Sequence, residues 1–283
     1  MGFRDILVAI DPAPAARARV EIATALAERF DAHLVGLYTP ISASAPETRG
    51  YFEYFNRPVE PSRKEFEKKL QAETSATRLL FEQITARHAV SAEWRQASGY
   101  PSDAVALHGR YVDLIVLGQR DPDDARAPLI QPSPGEVALA IGRPMLVTPY
   151  AGNWTKIGKY VLVGWDGSRP ATRAINDALP FLAVAEAVTV VVVDAEREHR
   201  RHGDVPGADI ALHLSRHGVK ATVQSIPSAG IGVGNALLSR ASDLSVDLLV
   251  MGAYGHLRER ELVFGGVTRT ILNSMTVPVL MAH

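Results

Sequence analysis

Short apolar runs alternate with stretches of helical periodicity along this chain. The runs fall near residues 5–10, 33–39, 90–96, 112–118 and 144–149, and again near 159–165, 187–194, 219–226, 246–252 and 277–282. A run such as Val246-Asp247-Leu248-Leu249-Val250-Met251 reads as a parallel strand covered on both faces. Between the runs, Val20, Ala23, Ala27 and Phe30 share one helical face, and Phe66, Leu70, Thr77, Phe81, Ile84 and His88 mark a longer, charged helix. The alternation predicts an α/β fold in which each half carries a five-stranded, mostly parallel sheet flanked by helices, a Rossmann-like doubly wound arrangement. In such sheets ligands bind beyond the carboxyl ends of the strands, where the strand order reverses. Asp11, Asp166, Gly118 and Gly252 all stand at those ends.

The two halves repeat one another. Ile6–Asp11 matches Val161–Asp166 at an offset of 155, and Val112–Gly118 matches Val246–Gly252 at an offset of 134. Pro144 and Pro278 share the second offset, and the residues after them, Met145–Val147 and Val279–Met281, are similarly apolar. The difference of 21 residues is an insertion in the first half, placed at Ile41–Pro61 by its Pro, Ser, Gly and aromatic content. Its cluster Tyr51-Phe52-Glu53-Tyr54-Phe55 suits a cover over its own domain or a subunit contact. Pro149-Tyr150-Ala151-Gly152-Asn153 reads as the linker, which divides the chain into domains at 1–150 and 154–283.

Candidate chemistry gathers after the second half's fourth strand. Gly252 and Gly255 are followed, nine residues later, by Gly265-Gly266-Val267-Thr268, where a helix should open. Glycines let backbone N–H groups approach a ligand, and a helix N-terminus offers free donors and partial positive charge, so phosphate is the natural guest. His256 and Arg258 lie inside the loop and are best read as solvated. Asp166-Gly167-Ser168-Arg169-Pro170 is also an ordinary turn into a helix, with Asp or Ser as N-cap. Gly230-Ile231-Gly232-Val233-Gly234 invites a dinucleotide reading, but position 235 is Asn and the acid about twenty residues on, Asp247, falls within a strand. A tight helix entrance explains those glycines better.

A strand ending in Asp, with Gly-x2-Gly-x9-Gly, a small residue and Val-Thr, resembles the universal stress protein family, and two copies resemble its tandem members. The resemblance implies two domains of the adenine nucleotide alpha hydrolase-like fold. In the family's nucleotide-binding branch the motif binds ATP or a related adenine nucleotide, with Mg2+ able to accompany it; the other branch lacks the motif. Carried over to this chain, Gly252 would lie by the ribose and Gly255 would let the loop close over the phosphates. Gly265, Gly266, Val267 and Thr268 would offer N–H groups, and Thr268 its hydroxyl. Asp166 would sit near the adenosine, Val192 would line the adenine, and Met251 joins the set beside Gly252. Gly266 departs from the family's usual Ser or Thr, which removes one hydroxyl contact.

The first half has lost the motif. Under the offset of 134, Gly255 maps to Asp121, Gly265 to Gln131, Gly266 to Pro132 and Thr268 to Pro134, while Gly118 alone survives. The segment Gln119–Ser133 also carries Asp123, Asp124, Pro122 and Pro128. Proline removes N–H donors and carboxylates repel phosphate, so one nucleotide per chain is expected, in the C-terminal half. Asp11 is then most simply a turn residue.

Composition narrows the function further. Thirty basic and thirty-one acidic residues leave a formal charge of −1, too little to hold DNA or RNA non-specifically. Zero cysteines exclude disulfides, thiol catalysis and Cys-based metal sites. With no apolar run approaching a membrane span and no signal-peptide pattern after Met1, a cytoplasmic protein is expected. The Walker-type loop Gly-x4-Gly-Lys-Ser/Thr, the pyrophosphatase loop Ser-Gly-Gly-x-Asp and a His-x-Gly-His signature are all missing. No catalytic set emerges. The expected role is that of a regulatory nucleotide binder in stress response; a weak ATPase and a ligand-free interaction module stay open as alternatives. Met145–Pro149 and Val277–Met281 are the candidate pair for an internal pseudo-dimer, and a further homodimer stays open.

Overall fold

The computed structural model describes residues 2–40, 63–152, 154, 156–198, 205–255 and 266–283. The insertion at Ile41–Pro61, with its aromatic cluster Tyr51–Phe55, and the residues His256, Arg258 and Gly265 lie outside the described residues. The chain divides into two compact units, one of Phe3–Ile141 and one built from Gly142–His283.

In the first unit, strands β1 (Asp5–Ile10), β2 (His33–Tyr38), β3 (Ala92–Gln96) and β4 (Leu114–Gly118) lie in the order β3-β2-β1-β4, all parallel. Helices α1 (Ala16–Phe30), α2 (Arg63–Thr85), α3 (Pro101–His108), α4 (Ala127–Ile130) and α5 (Pro134–Ile141) connect or follow them. Ile6, Leu7, Val8, Leu114, Ile115 and Val116 are fully buried, as expected for strands packed on both faces. The sheet order reverses between β1 and β4.

The second unit begins with β5 (Met145–Thr148) and continues with β6 (Tyr160–Gly164), β7 (Ala187–Val193), β8 (Ala221–Ile226), β9 (Leu248–Gly252) and β10 (Val279–Ala282). Their order is β5-β10-β9-β6-β7-β8, parallel throughout except that β5 runs antiparallel to β10. The expected pairing of Met145–Pro149 with Val277–Met281 is thus present, as Met145↔Met281, Leu146↔Leu280 and Val147↔Val279. Helices α6 (Arg169–Leu182), α7 (Ala208–Arg216), α8 (Val233–Asp243) and α9 (Gly266–Ser274) complete the unit, and the order reverses between β6 and β9. The compact division falls ahead of the Pro149–Asn153 linker, so β5 of the first sequence repeat belongs to the second unit.

Each sequence repeat fastens its first strand, β1 or β6, in the same way. The Asp113 carboxylate accepts from the N–H groups of Arg4 (2.8 Å) and Asp5 (3.2 Å). Asp247 at the entrance to β9 does the same for Gly158 (2.8 Å), Lys159 (3.0 Å) and Tyr160 (3.1 Å). These aspartates occupy equivalent repeat positions, which gives Asp247 a structural task of its own.

Candidate functional site

The carboxyl ends of β6 and β9 face the first turn of α6. Asp166 is half-buried, and its Oδ1 accepts the Ser168 N–H at 2.9 Å, closing a turn in which Gly167 takes a φ of +69°. Ser168 is the N-cap of α6, its Oγ accepting from the Ala171 N–H at 3.2 Å, and Pro170 enters the first helical turn.

Both motif glycines press on this turn. A Cβ on Gly252 would stand 2.5 Å from the Ala171 nitrogen and 2.7 Å from the Pro170 carbonyl carbon, so backbone packing demands glycine there. A Cβ on Gly255 would stand 2.8 Å from Ser168 Oγ and 3.1 Å from Asp166 Oδ2. Asp166, Ser168, Gly252 and Gly255 are therefore brought together.

Gly266, Val267 and Thr268 form the first turn of α9, and their N–H groups have no acceptor inside the helix. Among the described residues no heavy atom lies within 4 Å of where a Cβ on Gly266 would stand. Thr268 is buried, and its Oγ1 accepts the Tyr254 N–H at 3.0 Å, leaving the hydroxyl proton to donate elsewhere. Tyr254 is held in the left-handed region at φ +57°. Val192 is fully buried against Gly207 and Met251 nearly so, and neither is among the residues lining the two clefts beside this loop.

Two clefts flank this loop. One of about 480 Å³ is lined by Gly167, Ser168, Arg169, Pro170, Tyr254, Gly255 and His283. The other, of about 260 Å³, lies between the N-termini of α8 and α9, where Gly232, Gly234, Asn235, Gly266, Val267 and Thr270 meet. Gly232 has a φ of +84°, and Gly234 admits Thr270, whose Cβ would lie 2.9 Å from an added methyl. Those glycines serve a tight helix entrance and a close helix contact. Arg169, Tyr254 and His283 were not among the residues singled out from sequence. His283 Nδ1 sits 2.9 Å from the Ala253 carbonyl, and no periodicity or motif signals a lone terminal histidine.

Among the described residues no group of three or more His, Asp or Glu side chains could hold a metal ion, and no helix is long and apolar enough to cross a membrane. Mg2+ needs few protein ligands when phosphates supply the rest, and Asp166 is the carboxylate at hand.

A sequence profile of the Universal stress protein family matches residues 2–148 and again 159–283. The chain belongs to the universal stress protein family. It is 30% identical over 175 residues to the universal stress protein Slr1230 of Synechocystis, a match covering 59% of this chain and 57% of that protein. The chain therefore spans little more than half the length of that relative. A universal stress protein from Archaeoglobus fulgidus superposes with a TM-score of 0.70 at 14% identity, over 98% of this chain and 97% of that one. A putative universal stress protein from Pseudomonas aeruginosa gives 0.62 at 16% identity, over 98% and 92%. At such identities the likeness speaks for the fold, which is the tandem universal-stress fold.

The first universal-stress repeat treats the equivalent place differently. Asp11 does close a turn, its Oδ1 accepting the Ala13 N–H at 2.9 Å, but it is also buried against the Arg19 guanidinium. Gln131, which stands where the second repeat has Gly265, is buried and directs Nε2 towards Asp11 Oδ1 at 3.4 Å. The sequence carried no signal for the arginine, because Arg19 falls within an ordinary helical stretch.

Proposed function

We propose that this tandem universal stress protein binds ATP or another adenine nucleotide in its C-terminal domain, 154–283, and acts as a regulatory protein rather than an enzyme. What carries the reading is the open first turn of α9. Among the described residues nothing stands within 4 Å of a Cβ on Gly266, and the N–H groups of Gly266, Val267 and Thr268 have no acceptor within the helix. Together with the helix dipole behind them, these donors favour an anion at the terminus by roughly 0.3–1 kcal/mol. The adjoining cleft of about 480 Å³ is in the range of small-molecule sites.

The residues fit the ligand's parts unevenly. Gly255, Gly266, Val267 and the free proton of Thr268 suit phosphate oxygens, and Asp166 suits a sugar hydroxyl. Val192 and Met251 would back the adenine only from beneath the cleft floor, since both are buried. Binding would favour one arrangement of the surface around the cleft and so alter what partners read. The β5–β10 pairing supports an internal pseudo-dimer as the working form.

The test is to release small molecules from the purified protein and identify them by mass, then titrate the emptied protein with ATP calorimetrically. One site per chain is expected. Two equivalent sites, or no released nucleotide together with no heat of binding, would reject the reading.

A further inference from the structure

Arg19 is the largest of the fully buried side chains, with 1% of its surface exposed. It projects from α1 into the crevice where the first unit's sheet order reverses, and it touches both strands that border that crevice. On the β1 side, Nε donates to the Ala9 carbonyl at 2.8 Å, and Nη2 pairs with Asp11 Oδ2. On the β4 side it lies over Gly118, where an added Cβ would stand only 1.9 Å from Nη1. Gly118 is the one motif glycine the first repeat retains, and this contact accounts for its retention.

The second unit carries no arginine at the equivalent helix position. Under the offset of 155 that relates Asp11 to Asp166, Arg19 corresponds to Ala174, a buried methyl. A cation taken fully out of water costs several kcal/mol unless its partners are close and well directed. Here a carboxylate and a main-chain carbonyl face the planar fork, the geometry a guanidinium matches and an ammonium does not.

We propose that the first unit's crevice is a guanidinium-binding site occupied in cis by Arg19. The side chain acts as the resident ligand of Asp11 and of the β1 end, and it keeps the crevice shut to small molecules from solution. This holds whether or not the second unit takes a nucleotide.

Two measurements test it. In the native chain, arginine side-chain NMR should show the Arg19 Nε–H exchanging with water at least about tenfold more slowly than that of the exposed Arg17. Exchange as fast as that of Arg17 overturns the proposal. In Arg19→Ala the emptied site should accept guanidinium ion supplied as its chloride at low millimolar concentration. The melting temperature should rise saturably by a few degrees, with no rise in urea, in sodium chloride of equal ionic strength, or in the unsubstituted protein. A folded Arg19→Ala that gains nothing specific from guanidinium also overturns it. Should that variant not fold, the native-chain exchange rate decides alone.

Discussion

Tyr254 donates its N–H to Thr268 Oγ1 at 3.0 Å, which joins the end of β9 to the one buried side chain in the first turn of α9. The bond holds Tyr254 at its φ of +57°, a conformation a bulky residue rarely adopts without support. It also occupies the Tyr254 amide, which is then not offered to a ligand.

Thr268→Val keeps the shape of this contact and removes its acceptor. A buried N–H left without a partner costs about 1–3 kcal/mol, and the strained turn loses its restraint as well. A lower melting temperature and weaker ATP binding are expected together, by thermal unfolding and calorimetry. An unchanged melting temperature would show that the bond contributes nothing.

The strands were legible because burial on both faces leaves continuous apolar runs, and in each repeat the observed strands begin within two residues of those runs. Ser168 as N-cap and the repeat at offsets 155 and 134 were equally plain, since both rest on short-range residue identity. Arg19 was not, because a lone arginine in a helix normally points to water, and only the positions of Ala9, Asp11 and Gly118 make a buried partner set for it. Gly252 and Gly255 were found for a different reason than the one the structure supplies. Their missing side chains admit the α6 turn, whatever ligand lies above. The place of Val192 was illegible for another reason. A strand end has two faces, and sequence alternation in a run of valines does not say which one meets the cleft.

Gly266→Ser tests the departure from the family's usual residue. Among the described residues nothing lies within 4 Å of the added Cβ, so the substitution should be accepted without strain. Serine at a helix start offers a hydroxyl to an anion or to the helix's own N–H groups. ATP affinity should rise by about threefold to tenfold, the effect of roughly one hydrogen bond, read by calorimetry. Unchanged affinity would place the phosphates away from α9.

Asp247→Ala and Asp113→Ala remove the same fastening from the two units. Asp247 receives three backbone N–H groups and Asp113 two; those of Arg4, Lys159 and Tyr160 are exposed, so water replaces part of what is lost, while those of Gly158 and Asp5 are partly buried. Each variant should lose about 1–3 kcal/mol, with Asp247→Ala the more damaging. Denaturant unfolding of both variants checks the order, and equal losses would show that the count of N–H partners does not set the cost.

Gly36→Ala probes the aromatic layer beneath α2. Gly36 sits mid-strand in β2 beside Trp94 of β3, and a Cβ there would stand 2.7–2.9 Å from three ring atoms of Phe81. Phe81 cannot simply turn aside. Its ring is 5.9 Å from that of Trp94, which in turn lies 5.8 Å from Tyr38, and Phe81 itself is buried. Tyr38 is buried as well, and its burial raises its pKa. Adding a methyl must push α2 away from the sheet, at a cost of about 1–3 kcal/mol for overpacking, set against a smaller gain from stiffening the unfolded chain. A fall in unfolding free energy and a changed near-ultraviolet circular dichroism from Trp94 are expected, and Gly36→Ala combined with Phe81→Leu should recover part of the loss. A single variant as stable as the parent would mean that α2 rides freely on this face, and that the glycine answers to something other than Phe81.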